Sequence, residues 1–156
     1  MVVLLAILSV VALPRMVQPG TFTPATLTQA IVSQGRAGAQ AALAQPQALV
    51  RLQVQRLSGQ WRIQLLRDGN VQQQALIAEA DVAVHVNNAG SSYTLQAGDT
   101  LDVRFAPPGQ IITAMLNGSG VPALVSSQGV GLLVQGDSSR HLCIYPNGYV
   151  SARACA

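Results

Sequence analysis

Two cysteines, two histidines, six acids and nine basic residues carry nearly all the reactive chemistry available to this chain of 156 residues. His141 stands two positions from Cys143, and Cys155 lies twelve residues further along from that cysteine. Structural zinc takes four ligands, commonly including a cysteine pair at two-to-four spacing. Two cysteines so far apart and one histidine do not supply that set. His85 sits between Val84 and Val86 and reads as an outward-facing strand residue. Asp99 and Asp102 could pair as carboxylates, but "AGDTLDV" reads more simply as a turn entering a strand. No serine occupies a Gly-x-Ser-x-Gly elbow. "GSGVPALVSSQGVGLL" lacks the lysine and the following helix pattern of a phosphate-cradling loop. No catalytic, cofactor-binding or metal-binding set is expected, and the chain does not read as an enzyme. The cysteines have two readings: unrelated small buried residues, or a disulfide stapling the C-terminal tail in an oxidising compartment.

The charge pattern narrows the binding chemistry. All nine basic residues are arginines, and against six acids they give +3, with only 10% of residues charged. That is well below the usual quarter. The arginines are scattered from Arg15 to Arg153 rather than grouped, whereas nucleic-acid domains concentrate positive charge on one face. Arg140 and Arg153 are the candidate nucleic-acid contacts near the C-terminus. Two arginines would neutralise about two phosphates, which is weak at physiological salt, and they also suit a solvated exposed strand. Nucleic acid is therefore not the expected partner.

The elements that would position these residues follow from periodicity. "TFTPATLTQAIVSQGRAGAQAALAQP" reads as one helix, with Thr23 suited to the N-cap and Pro24 to the first helical position. Pro46 closes it. Leu27, Ile31, Gly35, Gly38 and Ala42 fall on one stripe, and the small residues in its second half would let the helix backbone approach a sheet closely. From Val50 onward the period becomes two. Val50, Leu52 and Val54 alternate with Arg51, Gln53 and Gln55, and Trp61, Ile63 and Leu65 share a face of the next strand. Ser58-Gly59 and Asp68-Gly69 mark turns. Further strands are expected at Ala75 to Ala78, Val82 to Val86, Tyr93 to Gln96, Leu101 to Phe105, Ile111 to Leu116, Gly129 to Gln135, His141 to Tyr145 and Tyr149 to Ala154. A two-residue turn at Asn147-Gly148 would close the last hairpin. The layout is α+β: a broken N-terminal helix, then only antiparallel strands, with the helix on one face of the sheet.

The N-terminal stretch is of a different kind. "MVVLLAILSVVALPRM" carries no charge from Val2 to Leu13. As a helix those twelve residues would rise only about 18 Å, too short for a bilayer core of about 30 Å. No positive n-region precedes the run, as a signal peptide would require. Pro14 ends or kinks the segment, and Pro19-Gly20 is a second break.

That stretch resembles the later part of the N-terminal signature of type IV pilins and type II secretion pseudopilins: a glycine, a short Phe-Thr-Leu-type stretch, a glutamate, then an apolar helix ending in Ala-x-Pro. Ala12-Leu13-Pro14 matches the ending. "ALPR" is most similar to minor pilins of the mannose-sensitive haemagglutinin type, and "LCIYPNGYVSARAC" resembles the last hairpin of minor pilins and H-type pseudopilins, whose terminal cysteines often pair. The resemblance covers the whole chain in layout but is specific only over Met1 to Arg15. The family's glycine and glutamate are missing, and Met1 falls about two turns inside the apolar helix. The resemblance therefore implies a start placed too late, a shortened chain or a decayed gene.

If the resemblance holds, residues 1–22 are an apolar helix segment and 23–156 a periplasmic pilin-like domain. Val2, Val3, Leu4, Leu5, Ile7, Leu8, Val10, Val11, Leu13 and Pro14 would lie first in the inner membrane. They would then lie against other pilin or pseudopilin subunits in a filament core. Cys143 and Cys155 would form a disulfide. Minor pilins that take up DNA carry a Gly-Arg-x-Arg motif on the last hairpin. The matching Gly148-Tyr149-Val150-Ser151 has neither arginine. The alternative reading is an extracytoplasmic module that binds DNA or a surface through its C-terminal hairpin.

Overall fold

The stripe of Leu27, Ile31, Gly35, Gly38 and Ala42 forms the helix its spacing predicts, and all five residues are buried. The computed structural model describes residues 23–78, 81–88, 91–107, 109–116 and 128–156. Helix α1 spans Thr23–Ala44. Pro24 lies in its first turn, where a missing N–H leaves no hydrogen bond unmade. Thr28 Oγ1 donates to Pro24 O at 2.8 Å. The Gln45 N–H still reaches Ala41 O at 3.0 Å, and Pro46 then disfavours further helix. The apolar segment Val2 to Pro14 and the break expected after it lie outside the described residues. Among the described residues no helix is long and apolar enough to cross a membrane.

The strands are β1 Val50–Leu57, β2 Gln60–Arg67, β3 Asn70–Ala78, β4 Ala83–Asn88, β5 Ser91–Thr94, β6 Thr100–Ala106, β7 Gln110–Leu116, β8 Val130–Gln135, β9 Ser139–Ile144 and β10 Val150–Ser151. They build two five-stranded sheets, in the orders β3-β2-β1-β6-β7 and β10-β9-β8-β4-β5, with antiparallel pairing in both. The sequence predicts α1 against one face of a sheet. Instead α1 packs against strands of both sheets. The reason is the amount of apolar surface. Both sheets present an inward row, Leu52, Ile63 and Val103 on the first and Val84, Leu132 and Leu142 on the second, and these join with Leu27 and Ile31 in one buried cluster. One helix is too narrow to cover two such faces alone, so the sheets share a core.

The loop after β5 ties the two sheets together. Leu95 N donates to Val84 O of β4 at 3.0 Å, while Arg56 N of β1 donates to Asp99 O at 3.1 Å. The Asp99 carboxylate accepts from Tyr93 Oη and from Gln96 N, both at 2.8 Å. Asp102 accepts from Gln53 Nε2 at 2.8 Å and approaches Arg51 Nη1 at 3.4 Å. Each carboxylate is thus engaged separately.

Turn chemistry follows the sequence at Asp68-Gly69, where both residues have positive φ (51° and 82°) and the register Arg67↔Asn70 leaves a two-residue loop, as a hairpin of this kind requires. It departs from expectation at the last hairpin. Tyr145 O accepts from Gly148 N at 2.8 Å, and Tyr145 N donates to Tyr149 O at 2.8 Å. The loop is therefore Pro146-Asn147-Gly148, three residues, with Pro146 at the position where its fixed φ suits a turn and Gly148 at φ 79°. Cys143 consequently faces Ser151, not Ala152. Strand β10 ends there, well short of the expected Ala154. The remaining tail bends over the sheet's outer face, and Cys155 closes a disulfide to Cys143 with Cα atoms 5.0 Å apart.

Two forces compare easily. Arg51–Asp102 is the one ion pair among the described residues, and a partly exposed pair contributes at most about 1 kcal/mol. Each fully buried side chain such as Trp61, Phe105 or Leu52 contributes about 1.5–3 kcal/mol. Apolar packing dominates, so close packing of α1 is decisive. A Cβ at Gly38 would stand 2.9 Å from Phe105 Cε2 and 3.1 Å from Leu65 Cδ1, and one at Gly35 2.9 Å from Val150 Cγ2.

Two predictions follow from this packing. Gly38→Val should lower stability by about 2 kcal/mol through overpacking, although a side chain at this position raises helix propensity. The check is a lower urea midpoint with an unchanged slope. Reduction of Cys143–Cys155 should cost about 3 kcal/mol from loop closure, and a non-reducing mass measurement on oxidised protein should find no free thiol. Two alkylatable cysteines in unreduced material would contradict this arrangement.

Candidate functional site

The helix stripe next to the buried one carries Ala25, Thr28, Gln29, Val32 and Arg36, at helical spacing along the first four turns. It forms one wall of a cleft of about 690 Å³. The opposite wall is Ser139, Arg140 and His141 of β9, with Ala152, Arg153 and Ala154 of the tail. Arg140 pairs with Val134 of β8. It lies on the same sheet face as Leu142, two positions along, which is in the core. Arg140 therefore points toward α1, beyond the edge of the apolar packing. Arg153 reaches the same space because the disulfide draws the tail back across the sheet.

Arg36 is the third cation. Its Nε donates to Val150 O at 3.0 Å, and its guanidinium stands 5.8 Å from the centre of the Tyr149 ring. That contact ties α1 to the last hairpin and leaves the Nη groups free to face solvent. Three arginines thus line a single cleft, His141 borders it, and among the described residues no acidic residue lines it. Asp137 belongs to the adjacent β8–β9 turn and is exposed. The expectation of scattered positive charge is corrected here: Arg36, Arg140 and Arg153 are far apart in sequence but converge in the fold. No local signal marks Arg36, because its neighbours in the cleft lie more than a hundred residues away. Arg153 stands in the tail rather than on the exposed strand the sequence suggests.

The backbone contributes as well. Tyr145 N donates across to Tyr149 O, so the odd-numbered residues of β9 direct their backbone groups to the β10 side. β10 pairs only with Cys143 and Ile144. On that side the backbone groups of Ser139 and His141 have no strand partner among the described residues.

A smaller depression of about 390 Å³ lies on the outer face of the second sheet, lined by Asn87, Ser91, Ser92, Gln128, Gly131, His141 and Cys155 among others. It shares His141 and Ala154 with the cleft, and the tail separates the two. Cys155 lies beside Gly131 there: a Cβ on Gly131 would be 3.5 Å from Cys155 Sγ, an ordinary contact distance. His85, on β4, is half-buried with Nδ1 2.7 Å from Thr94 Oγ1, far in sequence and role from the cleft. Among the described residues no group of three His, Cys, Asp or Glu side chains could hold a metal ion.

The cleft can therefore recognise negative charge, by guanidinium forks that fit carboxylate or phosphate in a bidentate manner. Comparison with family models, with curated proteins and with solved structures returns no match.

Proposed function

We propose that the chain is a minor pilin or pseudopilin subunit that assembles into a type IV pilus or a type II secretion pseudopilus. One observation carries the reading: the order of elements. An uncharged apolar stretch ending in Ala12-Leu13-Pro14 comes first in the sequence. A helix that lies on sheets through a small-residue stripe follows, then antiparallel strands alone, then a terminal hairpin closed by a disulfide. In such a subunit the apolar residues of Val2 to Leu13 hold the chain in the inner membrane before assembly and pack against neighbouring copies afterwards. α1 would join that segment to the extracytoplasmic domain. A disulfide belongs with an oxidising compartment, which agrees with a periplasmic location.

A second reading is an extracytoplasmic binding module that uses the C-terminal hairpin. The convergence of Arg140 and Arg153 with Arg36 in one cleft favours it as an additional role, since a subunit that only packs by apolar surface has no use for that grouping.

Two measurements test the filament reading together. The genomic codons ahead of Met1 should encode, in frame, a basic leader, a glycine and, shortly after it, a glutamate, because the leader's charge holds the N-terminus in the cytoplasm and an acid within an apolar helix needs a partner. A chain starting near Thr23 should be a folded monomer by light scattering and circular dichroism. A stop codon or an unrelated frame upstream, or a shortened chain that precipitates unfolded, would remove the basis of the reading.

A further inference from the structure

We infer that the cleft between α1 and the C-terminal hairpin is a docking site for an acidic peptide segment of another protein, which adds as a short strand to the open edge of β9. The inference stands on the cleft alone and is independent of the filament reading.

Three features converge on this occupant. The first is charge. Arg36, Arg140 and Arg153 line the cleft, no acidic residue among the described residues lines it, and neither Arg140 nor Arg153 has an ion-pair partner among the described residues. The second is the free backbone. Ser139 and His141 direct N–H and C=O groups to the side where β10 has already ended. An unpaired edge of this kind is a template for an added strand, in which main-chain hydrogen bonds supply affinity and alternate side chains supply specificity. The third is shape and lining. The cleft has a wall on each side, α1 on one and β9 with the tail on the other, and small residues Ala25, Ala152 and Ala154 leave room for a chain.

The alternatives fit less well. Duplex DNA is far wider than such a cleft and is bound on open basic surfaces. Single-stranded nucleic acid needs aromatic platforms on which bases stack, and among the described residues no aromatic residue lines the cleft. A second copy of this chain is a poor partner too. It carries the same +3 charge and only six acids, of which Asp99 and Asp102 are engaged in internal hydrogen bonds. The partner is therefore a different chain, with carboxylates at alternate positions, because side chains of a strand share a face every second residue.

The tail makes the site depend on the disulfide. Cys155 bonded to Cys143 anchors the tail after β10 ends at Ser151, so that Ala152, Arg153 and Ala154 line the cleft. Reduction would free Arg153 and leave Arg140 and Arg36 in place.

The test uses the full chain in detergent micelles and a fluorescein-labelled peptide of about six residues that alternates Glu and Val, read by fluorescence anisotropy. Binding should weaken with added salt and fall about tenfold or more in the double variant Arg140→Gln, Arg153→Gln, with circular dichroism and the disulfide unchanged. The double variant Arg104→Gln, Arg62→Gln removes the same two charges from the other sheet and should leave binding as it was. The same peptide with alternate backbone amides N-methylated should bind far more weakly, a comparison that needs no protein variant. Equal loss in that control variant would mean unspecific attraction and overturn the proposal. Undiminished binding of the N-methylated peptide would exclude strand addition. No measurable binding of the acidic peptide, or tighter binding of a single-stranded or duplex oligonucleotide, would overturn the proposal.

Discussion

The close approach of α1 to both sheets is the constraint on which the rest of the structure depends. It is possible only because the helix face is stripped of side chains where the sheets come nearest. Gly35 lies against Val150 and Gly38 against Phe105 and Leu65, at separations that leave no room for a Cβ without displacement. Phe105 and Leu65 belong to one sheet and Val150 to the other. The helix therefore fixes the distance between the sheets, and through it the continuity of the core. Each glycine costs roughly 1 kcal/mol of helix propensity relative to alanine. The contacts of Phe105 and Leu65 with the bare helix backbone offset that cost, and a bulkier stripe would hold the sheets apart and open voids around them.

The same helix organises the turns. A side chain on Gly148 would overlap the carbonyl of Gly109, and one on Gly109 would come within 3.0 Å of Ala39 O. Two hairpin turns, one from each sheet, thus meet over the second half of α1. At the other end Gly136 of the β8–β9 turn abuts Pro24. Between these two points the stripe of α1 beside the buried one faces β9 and the tail across the cleft.

What the sequence made legible was whatever depends on neighbours along the chain. The helix limits, the buried stripe and the alternation in β1 and β2 follow from local period and from Pro24, Pro46, Gly59 and Gly69. The division into two sheets was not legible, because it depends on which of several equally apolar strands pair at long range. The last hairpin shows a finer failure. Asn147-Gly148 is a strong two-residue turn signal in isolation, yet Pro146 before it favours a longer turn, with Gly148 accommodating the extra residue at positive φ. One added loop residue shifts Cys143 from facing Ala152 to facing Ser151. Arg140 and Arg153 were visible as candidates, but Arg36 was not, since nothing near Arg36 in sequence reveals that β9 and the tail lie across from it. The apolar segment Val2 to Pro14 is legible as composition alone.

The short β10 explains why a disulfide stands where it does. Two residue pairs hold the strand to β9, too few to keep an exposed terminus in place against fraying. A longer β10 would have secured the tail by hydrogen bonds, but it would also have covered Ser139 and His141 and filled the mouth of the cleft. The Cys143–Cys155 link secures the tail in another way. It carries the chain over the outer face, beside Gly131, and Cys143 has zero exposure. The C-terminus is thereby fixed without the strand pairing that would close the edge. A covalent staple in place of three or four more hydrogen bonds is what allows the fold to keep both a secure terminus and an accessible, positively charged strand edge.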